Sequence, residues 1–144
     1  MQFTTSTIFA AILSLSAFVA PSLADSVSVS FDTIYDDAGA SLNTVACSDG
    51  AHGLVDKFPT FGSLPSFPGI GGAPAIAGWD SPNCGTCWQL TFNGKTVNIL
   101  AIDVGLDGFN ISEEAMNELT DGQAVELGRV TADVVQVASS VCGL

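Results

Sequence analysis

Four cysteines, Cys47, Cys84, Cys87 and Cys142, follow an N-terminal stretch built mainly of apolar, small and hydroxyl-bearing residues. An even number of cysteines behind an export signal reads as a disulfide framework. The chain must then adopt a fold that brings cysteines together in pairs. Four cysteines allow three pairings, and sequence alone does not choose among them.

The leader supports the same compartment. Ile8 to Ala20 forms an apolar run, Pro21 ends it, and Ser22-Leu23-Ala24 offers small residues where a signal peptidase reads the chain. No Lys or Arg precedes the run. The run is shorter than the ~20 residues of a membrane span. Residues 1–24 are expected to be a signal peptide, leaving a mature chain from Asp25 that is secreted, extracellular or cell-wall associated.

What remains is about 120 residues, enough for one modest domain, 25–144. Fifteen acidic residues face three basic ones (Lys57, Lys95 and Arg129), for a net charge of −12. No basic cluster is present to neutralise phosphates, so nucleic acid is excluded as a partner. Anionic polysaccharides and anionic membranes are disfavoured by the same repulsion, and a neutral ligand stays open. Charged residues make up only 12% and hydrophobic ones 47%, so the chain is no disordered acidic tail.

Local signals point to a mainly β fold. Val27-Ser28-Val29-Ser30-Phe31 alternates apolar and polar with period two. Lys57 to Pro82 is rich in Gly and Pro, with Phe58, Phe61 and Phe67 interleaved, and is expected to be a long surface loop pinned by its phenylalanines. Trp88 to Phe92, the turn Asn93-Gly94, and Lys95 to Asp103 predict a β-hairpin. Its second strand ends in Ile99-Leu100-Ala101-Ile102, apolar on both faces and hence central. Ser112 can cap a short helix, with Glu113 and Glu114 in the first turn, Ile111 stapled to Met116, and Asp121-Gly122 as the stop. Val130 to Val137 is a last strand. Short strands with one small helix suggest a closed or nearly closed barrel.

With these elements in place, the chain resembles the cerato-platanins, small secreted fungal proteins. The match is carried by Val27–Phe31 with Tyr35-Asp36, Ser41 to Gly50, Gly71-Gly72-Ala73-Pro74, Gly78-Trp79, Ser81 to Cys87, Ala101-Ile102-Asp103, Gly108 to Ile111, and Cys142. The resemblance implies a six-stranded double-ψ β-barrel with one or two short helices, related in fold to the first domain of expansins and to some endoglucanases. It also implies two disulfides, Cys47–Cys84 and Cys87–Cys142, each worth about 4 kcal/mol by chain entropy.

Cys84-Gly-Thr-Cys87 has redox-type spacing, but it is followed by a strand pattern rather than a helix, so redox catalysis is not expected. Four cysteines and the lone His52 lack paired metal-ligand spacing, and no metal or cofactor is expected. His52 reads as structural or surface-lying.

Asp103 is the sharpest functional candidate. A carboxylate after a buried apolar run is costly unless a partner or ligand uses it. The alternative is a strand-end Asp capping loop amides. The family pattern places an Asp here in a shallow saccharide-binding surface, as an acceptor for sugar hydroxyls. Tyr35, Trp79 and Trp88 offer faces to a pyranose ring or pack in the core, the latter favoured for Trp88. Asn83 and Asn110 suit an N-acetyl group or turn chemistry. Asn110-Ile111-Ser112 is also an N-glycosylation sequon. Glycoside hydrolysis needs a second carboxylate, and nothing singles out Asp49, Asp80 or Asp107. No catalytic residue is assigned.

The expected function is non-catalytic binding of chitin or N-acetylglucosamine oligomers in cell-wall polysaccharide. Expansin-like wall loosening, elicitor or allergen activity through host receptors, and self-assembly at interfaces follow from the resemblance alone. The rivals are a weak glycoside hydrolase on β-glucan and a surface-active structural protein.

Overall fold

Residues 24–144 are described continuously in the computed structural model, together with positions 12, 14, 16 and 17. The rest of the expected signal peptide lies outside the described residues. Six strands form the barrel: β1 (Asp25–Phe31), β2 (Ile70–Ala73), β3 (Cys87–Phe92), β4 (Lys95–Val104), β5 (Phe109–Ile111) and β6 (Arg129–Val137). Two helices, α1 (Glu113–Thr120) and α2 (Ala124–Leu127), lie between β5 and β6.

The strands close in the order β1-β5-β2-β4-β3-β6, with β1–β5 and β2–β4 parallel and the other pairs antiparallel. The fold is thus a closed, mixed, six-stranded barrel with two disulfides. The period-two pattern explains how β1 and β6 sit. Val29 pairs with Val130 and both are buried, while Ser30 pairs with the exposed Arg129. Among the described residues, no helix is long and apolar enough to cross a membrane.

The hairpin follows its turn residues. Asn93 and Gly94 take φ of 46° and 78°, the two positive angles a type I′ turn requires. Strand β4 is buried from Ile99 to Ile102, consistent with a strand covered on both faces.

Helix α1 also obeys its local signals. Ser112 Oγ accepts from Ala115 N, and Asp121 ends the helix in the left-handed region at φ 57°. A second cap comes from a distance: Asp36 takes the Glu113 and Glu114 amides on its two carboxylate oxygens, at 2.8 and 3.0 Å. That anion at the helix start also suits the helix dipole.

One expectation fails. The segment Lys57–Pro82, read as a loop, contains β2, which lies between β4 and β5 in the barrel. Its sequence Ile-Gly-Gly-Ala has loop composition for a tertiary reason. A Cβ at Gly71 would run into the Asn110 carbonyl, and one at Gly72 into the Val104 carbonyl. Only glycine lets the neighbouring backbones come so close. The phenylalanine of the same segment that is fully buried is Phe61, in a single 3₁₀ turn.

Candidate functional site

A register slip positions Asp103. Gly71 pairs with Ala101, but Gly72 pairs with Asp103, leaving Ile102 without a partner in that ladder. Without the slip, Asp103 would share the face of the buried Ala101. The irregularity turns it to the other side, the usual work of a bulge beside a site. Its Oδ1 accepts from Ala46 N at 3.1 Å and Val104 N at 2.9 Å, and its Oδ2 from the Tyr35 hydroxyl at 3.0 Å. A carboxylate has about four acceptor positions, so one is left. Asp103 therefore caps loop amides and keeps limited capacity for a ligand.

Tyr35 reaches it from a 3₁₀ turn, Thr33–Asp36, with only 5% of its surface exposed. Its ring stacks on Phe61 at 6.1 Å between centroids. The ring face is thus closed to a sugar, and only the hydroxyl takes part. Burial, then the neighbouring Asp103 carboxylate, pushes the phenol well above its ordinary range.

The segment after Ala46 links Asp103 to an exposed aromatic ring. While the Ala46 amide serves Asp103, its carbonyl accepts from Asp80 N at 3.3 Å. Asp80 Oδ1 accepts from His52 N at 2.7 Å and lies 3.3 Å from His52 Nδ1. Gly50 (φ 92°) leaves room there, because a Cβ on it would lie 2.7 Å from the Asp80 carboxyl carbon. Beside Asp80, Trp79 is 63% exposed, and its Nε1 donates to Asp49 Oδ1 at 2.7 Å. That bond, reinforced by Ser48 at 3.3 Å, holds the Asp49 carboxyl below its usual range. An indole fixed by its polar edge leaves its faces to solvent.

The remaining candidates make other contacts. Asn83 Nδ2 donates to the Ala75 carbonyl at 2.9 Å, clasping its own loop. Trp88 packs edge-on against Phe109, centroids 5.9 Å apart, and donates to Thr86 Oγ1, a core role. Asn110 accepts from Ser30 Oγ at 3.1 Å in a groove shared with Asp107 and Arg129. Gly72 pairs with both Asp103 and Asn110, and the Val104 carbonyl fills the space where its side chain would stand. The sequon hydroxyl of Ser112 is fully buried, donating to the Pro68 carbonyl and capping α1. Among the described residues, no group of three or more His, Cys, Asp or Glu is placed to hold a metal ion.

Sequence reasoning passed over Ser30 and Arg129. The alternation in β1 placed Ser30 outward, and Arg129 is the chain's single arginine. Neither signal says that the two meet across strands.

Cysteine pairing ties this region together. Cys47 is bonded to Cys84 and Cys87 to Cys142, at sequence separations of 37 and 55. The first bond thereby joins the segment bearing Ala46 and Asp49 to the loop bearing Trp79 and Asp80. The cerato-platanin family profile matches residues 27–144, nearly the whole described chain. The chain belongs to the cerato-platanin family.

Its relatives cover it well. It is 49% identical to "Allergen Asp f 15" of Aspergillus fumigatus, over 99% of this chain and 97% of that one. It is similar to the crystal structure of cerato-platanin 2 from M. perniciosa, with TM-score 0.81 and 50% identity, covering 83% of this chain and 100% of that one. It is also similar to the solution structure of the fungal elicitor cerato-platanin, with TM-score 0.75 and 48% identity, covering 81% of this chain and 96% of that one. These cerato-platanin relatives carry the names of an allergen and an elicitor rather than of enzymes.

Proposed function

We propose that this cerato-platanin is a secreted, non-catalytic carbohydrate-binding protein for chitin-type N-acetylglucosamine oligomers in cell walls. The observation that carries the reading is Trp79. Its exposed indole, anchored by Asp49, stands on the loop that the Cys47–Cys84 bond ties to the Asp103 segment. A pyranose stacks on such a ring while the rim supplies hydrogen bonds. Elicitor or allergen activity extends the proposal from the names of the relatives, and expansin-like loosening of wall contacts from the family resemblance alone.

Several features support binding without cleavage. A general acid needs a carboxyl held above its usual range, and that of Asp49 is held below it. Asp80 is engaged by His52, and Asp107 lies in the Arg129 groove.

Calorimetric titration with N-acetylglucosamine tetramer, alongside an assay for new reducing ends, tests the reading. Binding that is lost in Trp79→Ala, with no reducing ends released, supports it. Time-dependent release of reducing ends, or binding indifferent to Trp79→Ala, overturns it.

A further inference from the structure

A polar groove of about 240 Å³ lies apart from the Trp79 surface, between β1, β5 and the 105–108 loop. Register brings Arg129, Ser30 and Asn110 side by side on β6, β1 and β5. Arg129 is one of three basic residues in a chain with fifteen acidic ones. Yet it has no carboxylate partner: among the described residues the ion pairs are His52–Asp80 and Lys95–Asp121. Its Nη1 instead donates to Ser28 Oγ at 2.6 Å and to the Asp107 carbonyl at 3.5 Å. These contacts fix one arm of the guanidinium and leave Nε and Nη2 without an acceptor among the described residues.

The Asp107 side chain apart, the neighbouring groups offer donors as well. Asn110 Oδ1 is taken by the Ser30 hydroxyl, so its Nδ2 amide is the free end. The backbone amides of Leu106 and Asp107 find no acceptor among the described residues, while that of Gly108 closes the turn. Two glycines let this loop pack closely on backbone: a Cβ at Gly105 would meet the Gly108 carbonyl, and one at Gly108 (φ 122°) the Ser28 carbonyl. An acidic protein has thus gathered unspent donors around its one arginine.

We propose that this groove binds a single carboxylate-bearing monosaccharide unit, a uronate. The guanidinium fork matches a planar carboxylate with two parallel bonds, while Asn110 Nδ2, the Ser30 hydroxyl and the loop amides meet ring hydroxyls. The volume falls below the ~300–1,000 Å³ of drug-sized sites, which suits one ring. The net charge of −12 sets the limit at one negative charge. Each further carboxylate of a polyuronate meets the repulsive field without a second arginine.

The site is independent of the Trp79 reading and is tested separately. Glucuronate, glucose and acetate are titrated into the protein while the Gly105–Asn110 amides and Arg129 Nε–H are followed by NMR. Glucuronate binding about tenfold tighter than either glucose or acetate, with shifts confined to this groove, is the expected result. Arg129→Gln, a substitution of an exposed side chain, weakens it at least tenfold with an unchanged near-ultraviolet CD spectrum. Arg129→Lys, which keeps the charge and loses the fork, restores only part. Equal affinity for glucuronate and glucose, or for glucuronate and acetate, overturns the proposal. So do shifts that fall at Trp79 and Asp103 instead.

Discussion

The Tyr35 hydroxyl donates to Asp103 Oδ2 at 3.0 Å, tying the turn after β1 to the end of β4. Two elements far apart in sequence thereby share one partly buried bond to a charged acceptor. Tyr35→Phe keeps the ring on Phe61 and removes only the donor. It should destabilise the fold by about 1.5–3 kcal/mol, measured by denaturant unfolding.

The same bond predicts an alkaline limit. Tyr35 is the only tyrosine, so phenolate absorbance reports on it alone. Its folded pKa is raised, so the unfolded chain loses the proton first, near pH ~10. The stabilisation is full below that pH and is lost as pH rises toward the folded value. Folded protein should show no phenolate at pH ~10, and denatured protein about half. In Tyr35→Phe this part of the alkaline destabilisation disappears.

Asp36 caps α1 from outside its own segment. Asp36→Ala removes the acceptor for two amides at once and should cost about 0.5–2 kcal/mol. Hydrogen exchange localises the effect: the Glu113 and Glu114 amides should lose protection, while those of the β3–β4 hairpin keep theirs.

Gly71→Ala sets a side chain against the Asn110 carbonyl in the middle of the barrel. The expected loss is about 3 kcal/mol, at the upper end for overpacking. Gly122→Ala is the control, because nothing lies within 4 Å of that position. The strain of its φ of 83° should cost about 1 kcal/mol.

Cys87→Ser with Cys142→Ser opens a loop of 55 residues in separation. The chain-entropy account gives a loss of about 4 kcal/mol. A fall in the denaturation midpoint with no change in the β-rich CD spectrum is the outcome to look for.

Where the chemistry is local, the sequence was readable. Asn93-Gly94 demands a tight turn, and Ser112 followed by two glutamates marks a helix start. Asp103 stood out because a carboxylate follows four apolar residues. Strand β2 did not, since Gly71 and Gly72 serve neighbouring backbones rather than any pattern of their own. The grip of Asp36 on α1 crosses 77 residues, and that of Arg129 on Ser28 crosses 101. Such pairs exist only once the barrel has closed, so no window along the chain displays them. Tyr35 shows the same limit in reverse: its ring chemistry suggested a sugar platform, and its burial against Phe61 closes that face.

The strand order also imposes a timetable. β1, first of the strands to be synthesised, is hydrogen-bonded only to β5 and β6, which come late in the chain. Its partners are thus separated from it by most of the domain, a high contact order that slows folding. On the ribosome, a nascent chain cannot complete the cylinder before Arg129–Val137 emerges. The protein therefore remains an open thread through most of its synthesis, and its last quarter decides when it becomes a barrel.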